Sequence, residues 1–587
     1  MTLFAGIYSR QSSQPLQSLP GAVCDELRRA LSRHPSDEAR TYVDERCFLA
    51  HLDIGAFGAE AWRVDESNAV TMLAGEPLFD EGEALDLSLL HDDLQRGEWQ
   101  VLRRARGTYA AAHYEAGTGR LFLISDKLGV RPLYYWADEN YVIFATALRV
   151  LESLSLIPKE MDVRAVTEIT GLGAPLGSRT PYAGISLLKA GEMIEFEARR
   201  MTRRQYWRWD KIEPARGTVE ELLCAAHDSF MRAVALRNGA DKTSVAYLSG
   251  GLDSRCTVAA LLELGARVHT FNFALPSTLD YVLGNEFARA ADTIHEALPK
   301  EQGDQTPDYS ALMARAWGAS QMRREEPAER PSLVWSGEGG SVAFGHVHLS
   351  PEIAAQMRDG RTGEAIETFL QREGASVTRR LLQPRVSDEL SDVLPRGIRE
   401  ELDELHAADP ARSFYLFLLL NDQRRKLAAH FENIDLHRLE FQLPFFDSDF
   451  LSLVVSLPLD ICLGHKFYVK WLHLFAPVVT SVAWQAYPGH EPCPVPAPEG
   501  AAYQWDDSYQ TEQRDALKRK LLEQSAEMIY ASDFPREILR PYYLRMATLI
   551  YGAGWRDYSY VIQSAWKYFT YWKLCGGKYA LTSSAVE

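Results

Sequence analysis

Cysteine is scarce and scattered: seven residues in 587, none in C-x-x-C spacing. That excludes a disulfide framework and a thiolate zinc site, and it fits a reducing cytoplasm, where the protein is expected to work. Positive charge is also in short supply, with 63 Lys and Arg against 80 Asp and Glu and a net charge of −17. A general nucleic-acid binder needs a basic face, so that class is excluded, although a local basic pocket is not. No apolar run approaches the ~18 residues of a membrane helix, and no signal peptide opens the chain, so neither a membrane span nor export is expected. Internal repeats and low-complexity segments are absent too. What remains is ordinary globular composition, 46% hydrophobic and 24% charged, in a length that calls for two or more domains.

The first ~200 residues carry short apolar or alternating runs typical of strands. They include Phe48 to Leu52, Val70 to Leu73, Tyr109 to Tyr114 and Leu121 to Ser125, separated by Gly, Asp and Glu turns. A boundary falls in the charged stretch from Arg203 to Arg216, dividing the chain into residues 1–205 and 206–587. Past it, Thr218 and Glu221 form a capping box for a helix carrying Leu222, Ala226, Phe230 and Ala233 on one face. Long helical patterns follow, notably Ala411–Leu427 and Arg514–Tyr530, and the stretch Pro488 to Pro498 reads as a loop.

The most informative run is Leu248-Ser249-Gly250-Gly251-Leu252-Asp253-Ser254. It lies between a predicted buried strand, Thr243 to Leu248, and a predicted helix from Ser254 to a glycine cap at Gly265. Such a turn offers backbone N–H groups and the positive end of a helix dipole to an anion. Ser254 adds a hydroxyl, and Asp253 makes sense as a magnesium ligand. The spacing is not that of a P-loop kinase, and the kinase lysine is missing. It resembles the SGGxDS signature of ATP pyrophosphatases, which cleave between the α and β phosphates.

Further blocks extend the likeness. Asp126 to Tyr135 resembles a DxxGxRPLYY hairpin and Phe144 to Ala147 an FASE strand. Ser336-Gly337-Glu338-Gly339 resembles an SGEGSDE loop, Glu440 to Asp447 an EARVPFLD segment, and Ser481 to Trp484 an SVAW segment. In this order they make the chain similar to the asparagine synthetase family. The resemblance implies an N-terminal Ntn-hydrolase-like αββα sandwich with glutaminase ancestry. It implies, after that, a parallel-sheet ATP pyrophosphatase domain of the PP-loop type with helical C-terminal extensions. It also implies ATP and Mg2+ as cofactors. Leu248, Ser249, Gly250, Gly251, Asp253, Ser254, Phe273, Ser336, Gly337 and Lys470 would bind nucleotide, Asp253 would bind metal, and Glu338 and Glu440 would act as bases at the amine. A structural alternative for Glu440 is an ion pair with a neighbour such as Arg438.

The departures matter as much. The family's nucleophilic cysteine aligns with Ala5, so no thiolate is available to release ammonia from glutamine. The loop aspartate aligns with Ser341. The lysine following SVAW aligns with Tyr487, with Lys466 and Lys470 as nearby substitutes unless they are solvated surface lysines. Two branches resembling this pattern lack the cysteine: β-lactam synthetases and lasso-peptide macrolactam cyclases. Glu338 stands where the β-lactam branch has tyrosine, which favours the cyclase reading. That reading implies a precursor peptide as substrate, with a leader peptidase and a leader-recognition protein as partners. Another amide ligase of the family, β-lactam-forming or ammonia-using, and a non-catalytic scaffold are the alternatives.

Overall fold

The computed structural model describes residues 3–11, 16, 19, 22–80, 86–299, 309–503 and 507–581. Two six-stranded antiparallel sheets build the first domain. One is centred on Leu3–Ser9, flanked by Cys47–Leu52 and Tyr141–Ala145. The other runs from Trp62–Val64 through Val70–Gly75, Tyr109–Glu115, Arg120–Ser125 and Glu192–Glu197 to Arg200–Gln205. Phe4, Leu49, Met72, Ala112, Leu123 and Phe144 interdigitate between the sheets. Helices Ala22–Leu31 and Asp86–Gln95 cover the two outer faces, completing the αββα sandwich expected. Period-2 alternation is weak here because strands covered on both faces are apolar throughout. Length and turn residues were the usable signals.

The second domain is organised on five parallel strands: β1 (Thr243–Tyr247), β2 (Arg267–Asn272), β3 (Ile294–Ala297), β4 (Leu333–Trp335) and β5 (Glu440–Gln442). Their spatial order is β3-β2-β1-β4-β5. The chain therefore winds outward from β1 in one direction, then returns to β1's other side. That reversal leaves a crevice beyond the carboxyl ends of β1 and β4, where ligands of doubly wound folds bind. Helix α1 (Asp253–Glu263) leaves β1 and α2 (Leu279–Ala290) leaves β2. Gly265 follows α1 at φ +81°, a left-handed conformation glycine adopts without strain. The capping box of Thr218 and Glu221 forms in both directions at helix Val219–Asn238. The long helix expected over Ala411–Leu427 spans Pro410–Glu432.

A buried ionic seam joins the domains. Asp447, fully buried, accepts from Arg106 of the first domain (Nη2, 3.2 Å; Nε, 3.3 Å) and from Arg237 of the second (Nη1, 2.8 Å). Lys127 Nζ donates to Ser448 Oγ at 2.9 Å, and Gln442 Nε2 to Glu76 Oε2 at 3.0 Å. No single described helix is long and apolar enough to cross a membrane.

Candidate active site

Two glycine-rich loops meet back to back in the crevice. A Cβ on Gly337 would lie 2.4 Å from Ser254 N, and one on Gly340 would lie 2.4 Å from Asp253 Cγ. Gly250 packs on the start of α2, where a Cβ would approach Leu279 O to 2.5 Å. Glycine is required at these positions for close backbone approach. The loops and their surroundings line a cavity of about 600 Å³, within the usual range for small-molecule sites.

Of the residues proposed from sequence, Ser249, Gly251, Asp253, Ser254, Ser336, Gly337 and Glu338 all line this cavity. Ser249 N donates to Ser254 Oγ (3.0 Å), the two hydroxyls lie 3.1 Å apart, and Gly251 N donates to Ser249 Oγ at 3.2 Å. Donors suited to phosphate oxygens are thus satisfied by one another within the loop. Helix α1 begins at Asp253, so its N-terminal dipole points into the same space.

Asp253 is held from three sides. Ser341 N donates to its Oδ2 at 2.9 Å, and Ser341 Oγ and Tyr468 OH donate to its Oδ1 at 3.0 and 2.8 Å. These fix the carboxylate in one orientation while leaving lone pairs on both oxygens. The oxygen-rich set of Asp253 with the Ser249, Ser254 and Ser341 hydroxyls fits a hard divalent cation that keeps water and phosphate oxygens as its other ligands. Magnesium held there would neutralise polyphosphate charge.

Five expected binders or bases stand elsewhere. Lys470, with Lys466, is exposed on the outer side of helix α3 (Lys466–Leu472), whose inner side presents Phe467, Tyr468 and Trp471. Positions i and i+4 share a helix face, so placing Tyr468 near Asp253 turns both lysines to solvent. Phe273 packs its ring on Tyr247 (centroids 4.9 Å apart), and it is Tyr247 that reaches the cavity. Leu248 is buried behind the loop, its carbonyl accepting from Asn272 Nδ2 at 2.6 Å. Gly250 directs its N–H to Asp280 Oδ1 at 3.2 Å rather than into the cavity. Glu440 is wholly buried in the domain seam, where both its oxygens accept from Arg131, one of them at 3.1 Å. Burial pushes its carboxyl up and Arg131 opposes that shift. Its neighbour Phe441 lines the cavity instead, as alternation along β5 requires. The ion pair is real, but its partner is Arg131; Arg438 pairs with Asp37 at 2.8 Å.

Several lining residues were not among the expected site residues. Asp280, Ser310, Gln485 and the apolar group Met313, Leu427, Ala429 and Phe441 complete the wall. Gln485 Oε1 is buried without a hydrogen-bond partner, and its position directly after SVAW was the available clue. Arg255, fully buried, donates to the carbonyls of Val479, Val482 and Ala483 at 2.8 Å each and so pins that segment against α1. Tyr487 lines the cavity, and burial, with Asp253 nearby, pushes its hydroxyl up to about 12. It is therefore a neutral donor near pH 7.

At the other end of the chain Ala5 lies wholly buried in mid-strand. It pairs with Ala50 and Ala145. A Cβ on the adjacent Gly6 would meet the Phe144 ring at 2.4 Å. The position holds no thiol, and its methyl group is packed in the core with Leu3 and Ile7 on the sheet face opposite Phe144.

Comparisons with known proteins match two separate segments of the chain. Residues 88–207 match a glutamine amidotransferase domain family, and residues 225–468 match the asparagine synthase family. The chain is 27% identical over 191 residues to a putative glutamine-hydrolysing asparagine synthetase of Methanocaldococcus jannaschii, covering 31% of this chain and 36% of that protein. It is 25% identical over 214 residues to glutamine-hydrolysing asparagine synthetase 3 of Bacillus subtilis, covering 35% and 33%. It is 23% identical over 285 residues to the amidase chyE of Penicillium rubens, covering 44% and 42%. The matched region thus spans about a third of the length of the first two relatives. With an amidotransferase-type sandwich ahead of a parallel-sheet domain, and the SGGLDS and SGEG loops joined in one crevice, residues 225–468 carry an asparagine synthase domain and residues 88–207 a glutamine amidotransferase domain, the pairing found in asparagine synthetases.

Proposed function

We propose that the protein is an ATP-dependent amide ligase that forms AMP and pyrophosphate, and that it closes a macrolactam ring in a peptide, as lasso-peptide cyclases do. The carrying observation is the cavity itself. It sets the Ser249, Gly251 and Ser254 donors and the Asp253 carboxylate beside Glu338 and an apolar wall of Met313, Leu427 and Phe441. In this reading the loop grips the β and γ phosphates while a substrate carboxylate attacks the α-phosphorus and pyrophosphate leaves. Positioning and charge stabilisation supply the catalysis. An amine must then lose a proton to attack the acyl-adenylate, and this reading assigns that proton to Glu338, a carboxylate lining the cavity.

The amine source separates this reading from an ammonia-using synthetase. Ala5 removes the nucleophile for glutamine hydrolysis, so the amine belongs to the substrate. Tethering raises its effective concentration far above that of free ammonia, by up to ~10⁵–10⁸ M in well-oriented cases. The apolar wall suits a peptide better than a small polar amino acid. The precursor would be delivered after a leader peptidase and a leader-recognition protein have acted on it.

The test is mass spectrometry of candidate precursor peptides incubated with the protein, leader peptidase, ATP and magnesium, with nucleotides quantified in parallel. Loss of one water per peptide, matched by AMP and pyrophosphate, is the expected result. A linear peptide carrying a new side-chain amide in the presence of ammonium would replace the cyclase reading with an ammonia-dependent one. ADP as the product would overturn amide ligation through an adenylate.

A further inference from the structure

The C-terminal helices α4 (Asp507–Tyr530), α5 (Pro541–Gly552) and α6 (Ser559–Leu574) lie beyond the segment shared with the asparagine synthase family, which ends at residue 468. The inner sides of α5 and α6 are buried. Leu544 and Ala547 of α5 and Val561, Ile562, Ala565, Tyr568 and Phe569 of α6 are buried. Tyr568 OH lies 2.7 Å from Thr167 Oγ1 of the first domain, and strand Tyr579–Ala580 pairs in parallel with Met161–Asp162. The unit is therefore fastened to the first domain by one side, which fixes what its other side presents.

That other side is apolar and aromatic. Among the described residues the four most exposed large hydrophobic side chains are Tyr530 (85%), Trp555 (83%), Tyr542 (80%) and Leu549 (75%), all in this unit. Tyr542 and Leu549, seven residues apart, share one face of α5, and Trp555 follows directly at its C-terminal end. Exposed apolar groups grouped in this way, rather than scattered singly, mark interaction sites. Arg545 lies on the same face of α5, and Arg556 adjoins Trp555, its guanidinium 5.5 Å from the Tyr558 ring. Lys518 Nζ lies 5.8 Å from the Tyr551 ring at the C-terminal end of α5, so Arg545, Lys518 and Arg556 bring three cations to this part of the surface, against Asp557 beside Arg556.

We propose that the outer face of α5 and the turn at Trp555 form a docking surface for an acidic polypeptide segment carrying aliphatic or aromatic anchors. Trp, Tyr and Arg are the side chains that dominate protein-binding hot spots. Charge complementarity sets the sign of the partner, since a basic patch on an acidic protein favours acidic segments and repels basic ones. A membrane surface is a poorer match. Electrostatic attachment there calls for a cluster of four to eight Lys or Arg, whereas the cations at this patch are Arg545, Lys518 and Arg556, with Asp557 adjoining the last.

The experiment uses the full chain and a fluorescent synthetic peptide of Glu and Asp with Leu and Phe at i, i+3, i+4 and i+7, beside its lysine-substituted twin. Fluorescence anisotropy should show the acidic peptide binding about tenfold or more tightly than the twin. Leu549→Ser with Trp555→Ala, and separately Arg545→Glu with Arg556→Glu, should each weaken it about tenfold. Pyrophosphate exchange should stay unchanged in both double variants, which shows that the fold and the distant cavity are intact. Equal binding of the two peptides, or binding insensitive to both double variants, overturns the proposal. So does flotation of the protein with phosphatidylcholine–phosphatidylglycerol vesicles that Trp555→Ala abolishes, which assigns the face to a membrane. A dimer that Trp555→Ala dissociates assigns it to a second copy and overturns the proposal equally.

Discussion

Replacing Asp447 with Asn isolates what the domain seam contributes. The carboxylate is completely buried and takes hydrogen bonds from Arg106 and Arg237, which are 6% and 2% exposed. It also caps helix Ser448–Ser456 by accepting from Asp449 N and Phe450 N, each at 3.1 Å. Asparagine keeps an acceptor oxygen, so most of the capping contribution, typically ~1 kcal/mol, survives. The charge does not. Removing one partner of a buried ion pair costs about 3–5 kcal/mol, mainly by stranding the other. Arg106 retains Asp80 at 2.8 Å, whereas Arg237 retains the Ala233 carbonyl at 3.0 Å. We therefore expect the lower end of that range, about 3 kcal/mol. Urea unfolding followed by tryptophan fluorescence measures it, and calorimetry shows whether the two domains still melt together. The pH dependence supplies a second check. Burial would raise the Asp447 carboxyl, but Arg237 and Arg106 outweigh it and hold the group below its ordinary value. Its contribution is then complete above the unfolded pKa near 4 and is lost as pH falls through the lower folded value. The gap between wild type and Asp447→Asn should stay flat from about pH 5 to 8 and narrow only below about pH 4. A gap under about 1 kcal/mol at pH 7, or one that widens in acid, would refute the electrostatic account.

Asp253→Ala should abolish ATP–pyrophosphate exchange while lowering the unfolding free energy by only about 1–3 kcal/mol, the cost of leaving the Ser341 and Tyr468 donors without their acceptor; residual exchange above a tenth of wild type would place the metal elsewhere. Purified protein should release no glutamate from glutamine, measured by a coupled dehydrogenase assay, and Ala5→Cys should not restore release, because residue 5 lies inside a strand with its side chain wholly buried. Ser341→Asp should slow adenylation more than tenfold by setting a second carboxylate against Asp253; adding Tyr487→Lys should recover part of the loss in a double-mutant cycle, whereas additive effects would mean that the two positions do not communicate.

The elements that the sequence made legible are those specified locally. The Thr218 and Glu221 box, the strand–loop–helix around SGGLDS and the turn at Gly265 each need only neighbouring residues, and each forms as expected. The misplaced site residues share a different cause. Whether Lys470 or Tyr468 meets Asp253 depends on the rotation of α3 against the sheet, which long-range packing of Phe467, Tyr468 and Trp471 decides. Whether Glu440 or Phe441 faces the cavity depends on the register of β5, and shifting that register by one residue exchanges the two faces. That register is tied to the first domain through Arg131 and Glu76, contacts between residues more than three hundred positions apart. Motif matching identifies such segments without saying which of their side chains turns inward.

Ser341 and Tyr487 look like losses when each is set against the family pattern alone, an acid gone from one loop and a base from the other. In space they are neighbours of one carboxylate. Ser341 donates twice to Asp253, and Tyr487 lies close enough for Asp253 to help push its hydroxyl up. Removing one negative and one positive charge from a single cluster leaves its net charge unchanged. Either change alone would alter the potential at the polyphosphate, where unscreened charges at ~4 Å interact by roughly 4 kcal/mol even at an intermediate dielectric. The remaining acids Asp253, Asp280 and Glu338 line the same cavity, so restoring the aspartate alone would add to an excess of negative charge that a phosphate ligand already meets. Two substitutions that each appear to disable the site are, taken together, the arrangement in which the net charge around Asp253 stays unchanged.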